Sequence, residues 1–154
     1  AQPDVIIGWS NYFQSFDHCD ASMSIRGIFG HQIYNVTRMI FSNPADAPNL
    51  NVLQSALEVD NANITSDPAI STYYLEDGDF IKLDNISVGY NIPFSKESKI
   101  SNLRVYLNSN NLAMWTKYTG LDPELNFSGT EFGRDQYDVY PRTTSITFGL
   151  NATF

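Results

Sequence analysis

Thr143-Thr-Ser-Ile-Thr-Phe-Gly-Leu-Asn-Ala-Thr-Phe154 is the stretch that decides the fold. Ile146, Phe148, Leu150, Ala152 and Phe154 share one face of it, and all are apolar. Thr143, Ser145, Thr147, Gly149, Asn151 and Thr153 share the other, and all are polar or small. Strict period two marks a strand, because successive side chains leave opposite faces of the pleat. A run of about ten such residues is long for a globular strand and right for a tilted membrane strand.

The same alternation recurs upstream. Leu103, Val105 and Leu107 alternate with Arg104, Tyr106 and Asn108; Ile86, Val88, Tyr90 and Ile92 with Asn85, Ser87, Gly89 and Asn91. Ala21, Met23, Ile25 and Phe29 alternate with Asp20, Ser22, Ser24 and Arg26, and Val5, Ile7 and Trp9 with Gly8 and Ser10. Antiparallel strands are expected near residues 4–13, 20–30, 80–92, 103–114 and 142–154. Ile81 and Leu83 are out of step with Ile86, and Leu112 and Met114 with Leu103. One bulge near Asp84 and another near Ser109 and Asn110 would restore the phase. Helical spacing shows only at 51–57, where Val52, Leu53, Ala56 and Leu57 line one side of a short helix.

Connections alternate in length. Residues 14–18 and 93–99 are short and polar, while 31–79 and 117–140 are long and rich in Asp, Asn, Pro, Gly and Tyr. Short turns at one end and long loops at the other describe an up-and-down membrane barrel. A soluble β-sandwich with two long loops, a carbohydrate- or peptide-binding module, is the alternative; alternation alone favours it, and the closing strand pattern and the loop asymmetry reverse that.

Composition narrows the classes. The chain has 154 residues, 42% of them hydrophobic, so it can bury a core. A net charge of −8 opposes nucleic-acid binding, which needs clustered Lys and Arg. One cysteine, Cys19, excludes an internal disulfide framework and a Cys-rich zinc site. Aromatics reach 14% and charged residues only 17%, with fifteen Asn, which suits strands with one polar and one apolar face. Ala1 leads almost at once into an alternating segment, with no initiator Met and no signal peptide, so the chain is expected to be a piece of a longer protein.

Several blocks carry a family resemblance. They are Tyr74-Leu-Glu-Asp-Gly-Asp-Phe-Ile-Lys-Leu-Asp-Asn-Ile-Ser-Val-Gly-Tyr90, Leu103-Arg-Val-Tyr-Leu-Asn-Ser-Asn-Asn-Leu112, Thr116-Lys-Tyr-Thr-Gly-Leu-Asp-Pro-Glu124 and the closing run from Tyr140. Ser15-Phe-Asp17 and Gly30-His-Gln-Ile-Tyr-Asn35 add to them. In order and spacing they resemble the C-terminal end of SusC/RagA-like TonB-dependent outer-membrane transporters. The resemblance implies about five C-terminal strands of a plugged barrel of about 22 strands. It also implies long loops outside the cell, a SusD-like lipoprotein lid, drive from the TonB complex through an N-terminal part absent here, and import of glycans or peptides across the outer-membrane lipid. Phe154 would then be the signal read by the barrel-assembly machinery.

Tyr73, Tyr74, Trp115, Tyr118 and Tyr137 lie in or beside the long loops and are the expected ligand contacts, since aromatic faces stack on sugars and grip peptide side chains. Phe127, Phe132 and Tyr140 belong to the same group, and loop packing or an interfacial girdle accounts for some of them. Arg26, Arg104 and Asn108 are expected to face the lumen and to bond to neighbouring strands or a plug. No catalytic residue, metal site or cofactor motif is expected. Asp122 and Glu124 read as a turn around Pro123 rather than an acid/base pair. Glu76, Asp77 and Asp79 read as a solvated turn rather than a calcium loop, their spacing fitting no EF-hand. His18 and His31 stand alone in the sequence, with no second ligand or nucleophile spaced for a metal or catalytic role, and Cys19 is expected to be a small buried residue. Asn35, Asn63, Asn85, Asn126 and Asn151 each begin an Asn-x-Ser/Thr sequence that is a chance match in a bacterial outer-membrane protein.

Overall fold

A strand carries its N–H and C=O groups along its two sides, where a neighbouring strand takes them up. The computed structural model describes residues 2–15, 18–57, 69–93, 100–124, 133–135, 137 and 139–154. In chain order its elements are β1 (Val5–Ser15), β2 (Cys19–Phe29), β3 (Gln32–Tyr34), α1 (Val36–Phe41), β4 (Leu75–Asp77), β5 (Phe80–Ile92), β6 (Asn102–Thr116) and β7 (Ser145–Thr153). Single 3-10 turns lie at Pro44–Asp46, Gln54–Leu57 and Thr72–Tyr74. All five expected strands form and join one sheet in the order β1-β2-β5-β6-β7. The expected short helix contracts to the 3-10 turn Gln54–Leu57. The two-stranded sheet β3-β4 and the helix α1 were not expected. Three-residue strands and a six-residue helix are too short to leave a periodic signal.

Contacts divide the chain into two units. Val5–Ile28, Phe80–Trp115 and Arg142–Phe154 make the wall; Ala1–Asp4, Phe29–Asp79 and Thr116–Pro141 make the loop unit. In the wall, β2 runs antiparallel to β5 from Cys19↔Tyr90 to Ile28↔Phe80, and β6 antiparallel to β7 from Asn102↔Thr153 to Asn110↔Ser145. The phase slip at Asp84 is a bulge: Ser24 faces Asn85 and Ile25 faces Leu83, which leaves Asp84 extra. The slip in β6 centres one residue beyond the expected place, at Asn111, whose φ is 54°. Asparagine tolerates this left-handed conformation better than most side chains. Its amide donates to the Arg142 carbonyl at 2.9 Å, and the Thr144 hydroxyl donates to its carbonyl at 2.7 Å. This irregular corner is why β7 starts at Ser145 rather than at 142.

The two faces of the wall differ as the alternation requires. Register places Leu103 beside Ala152, Val105 beside Leu150 and Leu107 beside Phe148 on the apolar face. Ile146, Phe148 and Leu150 there are 67%, 71% and 56% exposed. Leu103 and Val105 on the same face are half-buried; Val105 shares an apolar hollow with Val88, Tyr90, Leu107 and Phe148. Most of the buried apolar side chains, Ile33, Val36, Ala56, Tyr74 and Tyr118, belong to the loop unit; the wall contributes Ile28 and Phe80. A sandwich would have buried Phe148 and Leu150 at its centre, so the described wall is a single layer, not half of a sandwich. No helix among the described residues is long and apolar enough to cross a membrane, which says nothing of crossing by strands.

The opposite face is joined by polar side chains from strand to strand. Ser10 bonds to Ser24 at 3.0 Å. Arg26 donates two hydrogen bonds to Asp84, at 3.1 and 3.0 Å. The Asn85 amide donates to the side-chain oxygens of Asn108 and Asn110, each at 2.8 Å. Arg104 reaches over β5 to Asp20 on β2, with Nη2 to Oδ2 at 2.8 Å. That reach needs Gly89, where a Cβ would collide with the guanidinium. Gly149 likewise leaves room for the Tyr106 ring, an aromatic covering a strand glycine.

Gly89→Ala should therefore push Arg104 off Asp20 and cost about 1–3 kcal/mol, the range for a lost charge-assisted bond. Urea titration of the folded barrel checks this. The cost should largely vanish in an Arg104→Ala background and would persist there if Gly89 only served the backbone.

Candidate functional site

The loop unit is built on two carboxylates. Asn35 starts α1: its side-chain oxygen accepts from the Arg38 N–H at 2.7 Å, an N-cap. Its amide donates to Glu76 at 3.0 Å and to the Thr119 hydroxyl oxygen at 3.3 Å. Glu76, on β4, further accepts from the Thr119 N–H at 2.9 Å, the Thr119 hydroxyl at 2.8 Å and Arg38 Nη1 at 3.1 Å. Asp135 works in the reverse sense, accepting the N–H groups of Val36 and Thr37 and, at 2.8 Å, the Tyr118 hydroxyl. Each long loop thus supplies a carboxylate to the other's donors.

Burial, the largest single influence, pushes the Glu76 carboxyl up; the donors from Thr119, Arg38 and Asn35 together outweigh it and hold it below the ordinary glutamate range. Burial, then Asp135, raises the Tyr118 hydroxyl far above its usual range, so it stays a donor. His31 is buried, and burial holds it below the ordinary histidine value against the attraction of Asp79 and Asp77.

The expected ligand residues separate into two groups. Tyr73, Trp115 and Tyr137 are 53%, 58% and 55% exposed. Tyr74 and Tyr118 are buried, Tyr74 edge-on to Tyr34 and Tyr73. Tyr137 stands edge-on to Phe41, and Trp115 lies near the end of β6. Phe154 is 86% exposed, just past β7. Phe127, Phe132, Asn63 and Asn126, with Phe16, Asp17 and residues 94–99 of the two short turns, lie outside the described residues. Arg26, Arg104 and Asn108 bond to neighbouring strands.

The remaining candidates find local partners. Asp122 accepts the Glu124 N–H at 2.9 Å across Pro123, and both carboxylates are buried. Asp77 accepts the Asp79 N–H at 3.0 Å, and Asp79 accepts the Gly30 N–H at 2.6 Å, so this segment is a cross-linked turn rather than a merely solvated one. His31 sits 3.8 Å from Asp79, and His18 lies edge-on to Tyr90. Cys19 is half-buried rather than buried, because it opens β2 beside the turn. Arg38, Thr119 and Asp135 were not singled out from the sequence, and Asn35 was noted there only as the start of an Asn-x-Thr sequence and the end of a resembling block. An Asn before the apolar run Val36-Thr-Arg-Met-Ile-Phe41 is a readable cap signal; Asp135 has no local one.

A single-layer wall with an exposed apolar face, a hydrogen-bonded polar face and long loops joined into a folded unit has the build of a segment of an up-and-down β-barrel of the membrane type. No family model matches the sequence. The chain is 28% identical over 166 residues to TonB-dependent receptor P3 of Formosa agariphila, covering 99% of this chain and 16% of that protein. To TonB-dependent receptor SusC of Bacteroides thetaiotaomicron it is 30% identical, covering 98% of this chain and 15% of that one. Structures of the RagAB peptide importer in the closed-closed and open-open states each align with 99% of this chain and 17% of theirs, at a TM-score of 0.76 and 27% identity. This chain belongs to the SusC/RagA-like TonB-dependent receptors, and it spans about a sixth of the length of the relatives it matches.

The loop unit should loosen in acid. A carboxyl held low stabilises the fold above its unfolded value near 4.5 and loses that contribution as pH falls through the folded value. A histidine held low stabilises above its unfolded value near 6.5 and also loses its contribution on acidification. Protection factors of the amides at 30–57 and 69–79 should therefore fall from pH 7 downward, the upper part of the change disappearing in His31→Gln. Glu76→Gln should cost about 1.5–3 kcal/mol at pH 7. Protection unchanged between pH 7 and 4 would contradict the assignment.

Proposed function

We propose that this chain forms the C-terminal strands and two extracellular loops of a SusC-like importer in the bacterial outer membrane. It would take up glycans or peptides under a SusD-like lipoprotein lid, with TonB drive arriving through a part of the protein outside this sequence. The observation that carries the reading is the apolar face shared by all five wall strands, with Phe148 71% exposed and a bonded polar face behind it. The names of the relatives support import: they are receptors and importers, not enzymes. Tyr73, Trp115 and Tyr137 remain the ligand contacts of the proposal, their rings open to solvent. Tyr74 and Tyr118 serve packing in the conformation described. Phe154, in phase with Phe148 and Leu150, suits an assembly signal.

Residues 1–154 expressed alone and studied without detergent, by size exclusion and circular dichroism, test the reading. Aggregation, or folding only within a longer chain, is the expected outcome; a soluble monomer that unfolds cooperatively would favour a soluble binding module instead. Within the whole barrel, Phe148→Lys should cost about 2–4 kcal/mol if the residue lies near the bilayer midplane. Reversible unfolding in lipid measures it, and a neutral substitution would place Phe148 away from hydrocarbon.

A further inference from the structure

We propose that Arg38 and Tyr73 form a recognition point for a ligand carboxylate. The proposal deepens the importer reading and rests on it. The Arg38 guanidinium lies over the Tyr73 ring, its carbon 4.7 Å from the ring centre. Only Nη1 is committed to Glu76, at 3.1 Å, and the side chain is 30% exposed. Stacking on Tyr73 and pairing with Glu76 hold a planar fork in place, and its exposed part is what a ligand would meet. Glu76 is itself immobilised by Asn35 and Thr119, so Arg38 is held from beneath by a buried scaffold. Rigid placement lowers the ordering cost that a flexible surface arginine would meet on binding.

The kind of ligand follows from which hydrogen-bonding groups remain. A neutral sugar offers hydroxyls, which need acceptors as well as donors. The nearest acceptor, Glu76, already receives four donor groups: the Asn35 amide, Arg38 Nη1, and the N–H and hydroxyl of Thr119. What Arg38 presents is donors and positive charge, which suits a carboxylate taken bidentately. The carboxylate has two sources within the import reading, the free C-terminus or acidic side chain of a peptide and the uronic acid of a glycan.

The test uses the full-length transporter in detergent and two matched ligand pairs, a short peptide with a free C-terminus against its amide, and an oligogalacturonate against its methyl ester. Isothermal titration should show one acid bound about tenfold more tightly than its neutral partner, and the pair that discriminates names the source. Arg38→Gln should abolish that preference, bringing the acid's affinity to that of its neutral partner. Arg38→Lys, which keeps the charge but not the fork, should retain only part of it. Equal binding of acid and neutral forms by the native protein, no binding of either acid, or a preference that survives Arg38→Gln would overturn the proposal. Heat-modifiable mobility on electrophoresis reports the barrel separately. A protein that folds as a barrel without discriminating the acids defeats the carboxylate site alone, and one that forms no barrel defeats the importer reading.

Discussion

In hydrocarbon an unpaired backbone N–H or C=O has no water to turn to, and each one costs several kcal/mol. A membrane wall made of strands must therefore pair every strand on both sides and give its side chains to two different media. The five-stranded sheet meets the second demand throughout and the first at its three inner strands, β2, β5 and β6. Its outer members, β1 and β7, each have one neighbour among the described strands. The face carrying Ile146, Phe148 and Leu150 is exposed rather than packed, so the wall is not held by an apolar core of its own.

Without a core, the wall's cohesion beyond its backbone ladder falls to the polar face. Arg104 spans β5 to reach Asp20, Arg26 grips the extra residue Asp84, and Asn85 links β5 to β6. Each device depends on a small irregularity: a missing side chain at Gly89 in one case, an inserted residue in another. The loop unit solves a different problem by different means. Long connections rich in Asn, Asp and Gly gather a small apolar core, and the cross-loop carboxylates Glu76 and Asp135 fix them around it. Tyr73 and Arg38, the residues proposed to meet a ligand, then stand on a bonded base rather than on a mobile tether.

The wall was legible because alternation is a local property with a strict period. Even its faults could be read: the phase break at Asp84 fell where the alternation changed, while Asn111 was displaced by one residue because either of two neighbouring asparagines could take the left-handed turn. The loop unit was much less legible. Asp135 and Val36 are ninety-nine positions apart, and no periodicity links them. Aromatic composition pointed to Tyr73, Tyr74 and Tyr118 alike, yet Tyr73 is exposed and the other two are buried. Which ring of a Tyr-Tyr pair faces solvent depends on the 3-10 turn Thr72–Tyr74 and the β3-β4 pairing beside it, both too short to announce themselves.

The central claim is that the apolar face of β7 meets lipid and its polar face does not. Tryptophan placed at Phe148 or at Thr147, in the full-length protein with its other tryptophans, Trp9 and Trp115 among them, changed to Phe, measures this through quenching by brominated lipid in reconstituted vesicles. Strong quenching at 148 and little at 147 is the predicted result. Equal quenching at the two positions, or stronger quenching at 147, would contradict the assignment.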